Sequence, residues 1–577
     1  MVQGFVQIAL FFGLIVAVTP FLGGYMARVF RDDRTFLDAV AGPMERFTYR
    51  LLRVDVSRGQ DWKAYARGVV FFSLGGWLLL YLILRTQTLH PFNPEGFHSG
   101  TWDLTFNTTS SFVTNTNWQY YMGETTLSYF SQMAGLAVQN FVSAATGIVV
   151  AIALIRGIIA RRSHEPFLGN FWQDLVRACF YVLLPISIVG GLILVSQGTL
   201  QTLGGTVAGL ARGPVASQEV IKELGTNGGG FFNTNSAYPF ENPSGLTNLL
   251  EMFLILCIPA SLTYTFGRMV GSRRQGWAVF SAMAALFIVG VVVVYLAELH
   301  GTPAQHAAGV HTSAISGSTG GNLEGKEQRF GIAGSTLWAA VTTVTSCGAV
   351  NAALESFTGI GSLVPMANLA YSESVFGGVG TGLYTMLLYV LLAVFIGGLM
   401  VGRTPEYLGK KIEAREIKLV GLGVLITPLA ILFASALALG TKYGAPSIWA
   451  SARPQGFSET LYAYMSQANN NGSAFAGYTG YYQPNPGNLG AHGITFADLV
   501  GGVTMVGARF IPILFVLAVA GALATKRAAP AGAGTMRTDT PTFVALLIGT
   551  VVLVGALTFF PALMIGPIAQ GMTDRLF

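Results

Sequence analysis

Long apolar runs separated by polar, glycine-rich connections set the rhythm of this chain. A membrane span needs roughly 20 apolar residues, because a rise of about 1.5 Å per residue must cross a hydrocarbon core about 30 Å thick. Runs of that length fall at approximately 5–27, 66–84, 127–155, 173–196, 247–267, 277–298, 377–401, 418–439, 498–524 and 542–565. Shorter amphipathic stretches at 102–113, 217–225, 334–344 and 458–468 each lead directly into a polar string. The strings are Thr114-Asn115-Thr116-Asn117, Thr226-Asn227-Gly228-Gly229, Thr345-Ser346-Cys347-Gly348 and Asn469-Asn470-Asn471-Gly472. With Asn117, Gly228, Gly348 and Gly472 taken as equivalent, the gaps are 111, 120 and 124 residues. The pattern predicts an all-α integral membrane protein of about ten transmembrane helices. One unit of span, pore helix, filter strand and span repeats four times around a single channel-like pore. The expected repeats cover 64–160, 161–272, 273–416 and 417–527, with filters at 114–119, 226–230, 345–349 and 469–473. Residues 1–63 add a first helix and a cytoplasmic loop, and 528–577 add a last helix.

Composition agrees: hydrophobic residues make up 52% and charged residues only 10%, against about 25% charged in soluble domains. The first run lacks a basic n-region and exceeds an ordinary h-region, so it is expected to stay in the membrane. Of the 33 Lys and Arg residues, 24 fall in the segments 28–67, 156–177, 268–274, 403–418 and 526–537. Those segments are expected on the cytoplasmic side. The loops that carry the strings hold only Arg212, Lys222, Lys326, Arg329, Lys442 and Arg453, so the strings and both termini are expected to face outward. This bias accounts for the net charge of +6, and no nucleic-acid partner is expected.

The chemistry of the strings points to a cation. Backbone carbonyls can replace the water shell of a potassium ion when an extended strand aims successive oxygens at one axis. Glycine permits the positive φ values this requires, while Asn and Thr tie the strand to its surroundings. A helix ending beneath each string directs its negative dipole end toward the pore. Potassium or another monovalent cation fits, and composition does not choose among them. Any one string alone reads as an ordinary turn; the shared setting of all four is what argues for a filter.

Other signals are weak. Cys179 and Cys257 lie in spans as small apolar residues, Cys347 belongs to the third string, and three scattered thiols give no disulfide framework. His300, His306 and His311 have spacings that fit no usual zinc motif and read as solvated loop residues. The sequon-like Asn471-Gly472-Ser473 is read as coincidence. Residues 320–326 imitate a phosphate loop, but Glu327 follows Lys326 where Ser or Thr is needed. With no Asp-Lys-Thr-Gly phosphorylation signature and a largest inward loop of about 40 residues, too short for a catalytic domain, any ATP hydrolysis is expected in a partner. No organic cofactor is expected.

The strings with their followers, Thr114-Asn115-Thr116-Asn117-Trp118-Gln119, Thr226-Asn227-Gly228-Gly229-Gly230-Phe231-Phe232-Asn233, Thr345-Ser346-Cys347-Gly348-Ala349-Val350-Asn351 and Asn469-Asn470-Asn471-Gly472-Ser473-Ala474-Phe475, resemble the four filters of the KdpA family. The run Gly402-Arg403-Thr404-Pro405-Glu406-Tyr407-Leu408-Gly409-Lys410-Lys411 is similarly distinctive, and the resemblance covers essentially the whole chain. KdpA is the potassium-binding subunit of the Kdp potassium-transporting ATPase of bacteria and archaea. The resemblance implies transported K+ at the filter and ATP used by a partner P-type ATPase subunit, KdpB-like. It also implies KdpC-like and small KdpF-like accessory subunits and residence among the lipids of the bacterial inner membrane. Gln119 would tune ion discrimination. Gly377, Gly378, Gly380 and Gly382 would break the seventh span as an intramembrane gate below the filter, the other reading being close helix packing through small residues. Arg509, a charge inside the ninth span, would line the inner cavity or tunnel and stop the ion leaking through, the other reading being a snorkelling side chain. Glu373 reads either as an attractor of cations near the pore or as a solvated loop acid. Arg403 would face the partner at the cytoplasmic end. Two departures stand out: the first filter lacks a glycine, so Asn117 must adopt the equivalent geometry, and the last outer loop, 478–495, is longer than usual. The alternatives are a self-sufficient channel or cation symporter of the Trk, Ktr or HKT type and, more distantly, an integral-membrane enzyme.

Overall fold

Ten helices among the described residues are long and apolar enough to cross a membrane: Val2–Val29, Trp62–Arg85, Ser131–Ile159, Phe171–Ser196, Gly245–Met269, Arg273–Ala307, Thr381–Met400, Ala414–Gly440, Phe496–Ala524 and Pro541–Gly571. The computed structural model describes residues 2–160, 166–315, 318–444, 447–448, 454–479, 495–528 and 535–572; most of the long last outer loop, at 480–494, lies outside them. Several helices begin where a side chain accepts an otherwise orphaned backbone N–H. Asp61 caps the second span, Asn170 the fourth, Ser244 with Thr247 the fifth, and Thr540, followed by Pro541, the last.

Burial divides the spans into an inner and an outer set. The hydrophobic stretches of the third, fifth and seventh spans are 83%, 78% and 67% buried, against 17% for the first and 33% for the last. Helices facing lipid on one side can stay apolar all round, because lipid is as apolar as leucine. Close approach of the inner helices uses small residues: a Cβ at Gly157 would lie 2.7 Å from Ala520 Cα, and one at Gly267 3.0 Å from Gly276 Cα.

Four shorter helices enter between the spans: Trp102–Val113, Val215–Leu224, Gly331–Val344 and Pro454–Ala468. They match the four expected pore helices, the first at both ends and the others starting two to four residues earlier. The helix, pore helix, strand, helix unit therefore recurs four times, with the first and last spans outside it.

The largest departure from expectation is at the seventh span. The chain forms a helix at Gly359–Ala370, leaves helical geometry over 371–380, and resumes at Thr381–Met400. Gly377, Gly378 and Gly380 thus precede the long helix and Gly382 sits in its first turn, and a half-helix unforeseen in the sequence stands before the break. Ser372, Glu373, Phe376, Gly377 and Gly380 all have positive φ in this loop, which continuous helix packing through small residues does not allow.

On the side rich in Lys and Arg, a two-stranded hairpin pairs Glu406–Tyr407 with Lys410–Lys411. Lys410 Nζ donates to Gly157 O and Leu523 O at the ends of the third and ninth spans, where a cation favours the helix dipoles. Burial and the neighbouring Lys526 charge push the Lys410 ammonium down to about 8.

Candidate functional site

Each pore helix ends in the same way. The carbonyls of Ser111, Lys222, Thr342 and Ser466 accept the N–H groups of Thr116, Asn227, Cys347 and Asn471 at 2.9, 2.8, 3.0 and 2.8 Å. This shared bond, five residues apart in every case, fixes the equivalence of the four strings. A left-handed residue turns each helix into its strand: Asn115 (φ 72°), Thr226 (49°), Ser346 (51°) and Asn470 (51°). None of them is glycine, and each such conformation costs about 1–3 kcal/mol. Non-glycine strain held at four equivalent places marks a site over-determined by its surroundings.

A second left-handed residue follows at Asn117 (58°), Gly348 (93°) and Gly472 (100°), so Asn117 adopts the geometry expected of it. Its amide donates to Asn140 Oδ1 at 2.6 Å, which holds the residue in place without glycine. In the second string the positive φ falls at Gly229 (70°). Gly228 is nonetheless indispensable for space: a Cβ there would lie 2.9 Å from Asn471 O, 2.9 Å from Cys347 O and 3.1 Å from Thr116 O. Carbonyl oxygens of the other three strings therefore converge on the point Gly228 faces. A Cβ at Gly348 would strike Asn471 O, and one at Gly472 would strike Thr116 O.

Side chains stitch the strings into a closed ring. Asn115 Nδ2 donates to Thr226 O at 2.9 Å and Asn227 Nδ2 to Asn115 Oδ1 at 2.6 Å, joining the first and second strings. Cys347 Sγ donates to Asn227 O at 3.0 Å, joining the third to the second. Asn471 Nδ2 donates to Thr342 O at 2.8 Å, and Asn470 Nδ2 to Thr116 Oγ1 at 3.0 Å, closing the circle. Thr114 and Thr345 instead bond back to their own pore helices, and Asn469 donates to Leu369 O. A vestibule of about 640 Å³ opens above, lined by Asn117, Gln119, Gly229, Gly348 and Gly472. Gln119 spans its rim, donating to Gly230 O at 3.3 Å and to Tyr121 Oη at 3.2 Å.

A loop packs directly beneath the strings. The broken segment of the seventh span crosses under the strings, with Gly377 N donating to Val344 O at 3.0 Å and Val379 N to Thr226 Oγ1 at 2.8 Å. A Cβ at Gly380 would strike Gly147 O, one at Gly377 Glu373 O, and one at Gly382 Phe376 O, whereas Gly378 has ordinary contacts, the nearest at 3.5 Å. Arg509 Nη1 donates to Thr381 Oγ1 at 2.6 Å and lies 4.0 Å from Glu373 Oε2. Arg509 and Glu373 are each 5% exposed, so the snorkelling reading of one and the solvated-acid reading of the other are both overturned. A cavity of about 20 Å³ lies between them and the residues Asn469 and Asn470, enough for about one water. Arg403 sits exposed just past the seventh span.

A family model described as KdpA, the potassium-transporting ATPase A subunit, matches residues 9–572. The chain belongs to the KdpA family. The potassium-transporting ATPase potassium-binding subunit of Koribacter versatilis is 52% identical over 98% of this chain and 98% of its own. The protein of the same description from Rhodospirillum centenum is 54% identical over 99% of this chain and 98% of its own. Among solved structures, the potassium transporter TrkH from Vibrio parahaemolyticus is 16% identical, covers 79% of this chain and 84% of that one, and has a TM-score of 0.49.

Within this KdpA fold one set of residues escaped the sequence reading. Lys222, counted among the cations of the outward connections and placed within the expected pore helix at 217–225, is wholly buried there. Its ammonium lies 2.7 Å from Glu219, 3.0 Å from Glu241 and 3.7 Å from Glu223. The signal was available: an acid three residues before and another immediately after a Lys, on a helix leading into a filter, is a poor surface pattern. Lys326 is half-buried with its side chain enclosed, 2.8 Å from Glu298, and is no phosphate ligand. His300 and His306 meet backbone carbonyls, an arrangement unlike a metal site.

Proposed function

We propose that the chain binds K+ at the ring of strings, strips it of water and delivers it to a partner P-type ATPase subunit that supplies the energy. The observation that carries this reading is the convergence of the Thr116, Cys347 and Asn471 carbonyls on the position faced by Gly228. Carbonyls held by a stiff ring can replace a hydration shell without reorganising, and the pore-helix ends beneath add negative potential. Membership of the potassium-transporting ATPase family disfavours the self-sufficient channel or symporter.

The ion enters from the outer vestibule and is selected where the four strings meet. Four unlike strands offer four unlike sets of ligands, suited to holding an ion tightly rather than passing a stream. The loop at 371–380, with Gly377, Gly378 and Gly380, and with Gly382 in the helical turn that follows, acts as the gate below. The guanidinium of Arg509, anchored on Thr381 and facing Glu373, repels a cation moving straight toward the cytoplasm. The ion turns aside toward the partner, whose contact includes Arg403. KdpC-like and KdpF-like subunits complete the assembly. The cluster of 24 Lys and Arg residues on one side supports insertion in the inner membrane with both termini outside.

The test is to purify the chain with whatever assembles on it and measure ATPase activity against K+. Activity that rises with K+ and is lost in Gly228→Asp, with assembly intact, is the expected result. A chain that purifies alone and conducts K+ without ATP, or a Gly228→Asp complex of unchanged affinity, sinks the reading.

A further inference from the structure

The four equivalent positions that begin the shared backbone bond are Ser111, Lys222, Thr342 and Ser466. Three carry a hydroxyl, which both donates and accepts; an ammonium donates only. The hydroxyls use that freedom. Thr342 Oγ1 accepts from Gly348 N at 2.8 Å, Ser466 Oγ accepts from Gly472 N at 2.9 Å, and Ser111 Oγ donates to Trp118 O at 2.9 Å. Lys222 cannot accept from Gly228, and its Nζ instead donates to Gly229 O at 3.2 Å. Ser111 makes the equivalent bond, to the carbonyl seven residues on, with a short hydroxyl, and its strand keeps the common spacing; only the long ammonium goes with a shifted strand. The left-handed residues are two apart in three strings, at Asn115 and Asn117, Ser346 and Gly348, and Asn470 and Gly472, but three apart in the second, at Thr226 and Gly229.

We propose that Lys222 is the positioning residue that sets the second filter strand apart from the other three, and that through this strand it determines which monovalent cation the ring prefers. The proposal rests on reading the strings as a K+ filter. Burying an ammonium is costly unless it is paired and hydrogen-bonded, whereas a hydroxyl would brace the strand at small cost. The molecule meets that cost with an enclosed cage: Glu219 and Glu223 from the same helix and Glu241 from the following loop, all fully or almost fully buried. The cage holds the strand as well as the lysine. Glu241 Oε1 accepts from Phe232 N at 2.8 Å, three residues beyond the carbonyl that Lys222 holds. Glu223 Oε2 accepts from Cys347 Sγ at 3.4 Å, tying the cage to the third string. Ser236 Oγ donates to Glu219 at 2.7 Å. No room exists for a looser fit, since a Cβ at Gly230 would lie 3.0 Å from Glu241 and 3.1 Å from Lys222 Nζ. Lys222 touches no ion; it fixes the peptide between Gly229 and Gly230, and so the orientation of the strand next to Gly228.

The experiment compares the whole purified complex carrying wild-type chain, Lys222→Met, and the charge-balanced double variant Lys222→Met, Glu219→Gln, which removes the nearest carboxylate charge together with the ammonium. The readout is the apparent KM of K+- and Rb+-stimulated ATPase and the maximal rate with each. The expected result is a change of roughly tenfold or more in the Rb+ to K+ KM ratio, as for loss of one charge-assisted hydrogen bond, with the maximal K+ rate largely kept. A Lys222→Arg complex should recover part of the wild-type ratio. Assembled variants that change only yield or thermal stability, at an unchanged ratio, overturn the proposal. If neither Met variant assembles, an experimental density map of the wild-type complex decides: a Gly229 carbonyl facing Lys222 upholds it, and one facing the pore axis overturns it. Unchanged K+ affinity in Gly228→Asp would instead break the filter reading itself, so the two failures are distinct.

Discussion

Gly228→Ala adds one methyl group at the point where three strings converge. The added carbon would sit 2.9 Å from the carbonyl oxygens of Asn471 and Cys347 and 3.1 Å from that of Thr116. These oxygens cannot retreat independently, because Asn471 is tied to Thr342 and Asn470 to Thr116, while Cys347 is bonded to Asn227. Forcing a methyl into a tightly packed interior costs about 1–3 kcal/mol. The methyl also takes space between carbonyls that an ion would use, so the cost falls on the ion-bound state. At about 1.4 kcal/mol per tenfold, the apparent K+ affinity should weaken by roughly 5- to 150-fold. The assay is K+-stimulated ATPase of the purified complex over a wide range of K+. Gly75→Ala is the control, since its added Cβ meets no atom within 4 Å, and it should leave the affinity unchanged. An assembled Gly228→Ala complex with wild-type K+ affinity would refute the reasoning.

Asn117→Gly should keep the left-handed backbone and lose the bonds to Asn140 Oδ1 and from Asn227 Nδ2, whereas Asn117→Ala should cost about 1–2 kcal/mol more; thermal unfolding and K+ affinity should both rank wild type, Gly, Ala. Gln119→Ala removes the rim contacts to Gly230 and Tyr121 and should alter discrimination among K+, Rb+ and Na+ while sparing assembly, read by competition in ATPase assays; an unchanged order removes its tuning role. Arg509→Met leaves Glu373 buried and unpaired and should destabilise by about 3–5 kcal/mol. Adding Glu373→Gln should restore part of that loss, and thermal unfolding in a double-mutant cycle should show a coupling of about 0.5–3 kcal/mol.

What could be read from the sequence follows from how local the cause is. The strings were visible because the backbone geometry needs Asn, Thr and Gly at fixed steps, and the pore helices because each runs directly into its string. The half-helix Gly359–Ala370 was invisible because 12 residues with Pro365 inside fall well short of the length that marks a span. The glycine run showed that a break exists, yet the gap between half-helix and helix depends on packing against Gly147 and Thr226, which come from other repeats. Arg509 was conspicuous as a charge within an apolar run, but its companions Thr381 and Glu373 lie more than 120 residues away. Lys222 was misread because a lysine ordinarily means water nearby. Two of its carboxylates are adjacent in sequence, while Glu241 is brought in by the loop that follows the filter. The left-handed Thr226 and Ser346 were equally unforeseen, since local preference argues against them and only the assembled ring holds them there.

The central claim is that one cation site lies where the four strings meet. The direct measurement is anomalous scattering from crystals of the complex grown in Rb+ or Tl+ in place of K+. The account predicts a peak lined by the carbonyl oxygens of Thr116, Cys347 and Asn471 together with the second strand at Asn227 and Gly228, above the loop at 371–380. A complex that binds the ion tightly in solution but shows no peak there, or shows its strongest peak elsewhere in this chain, would contradict it.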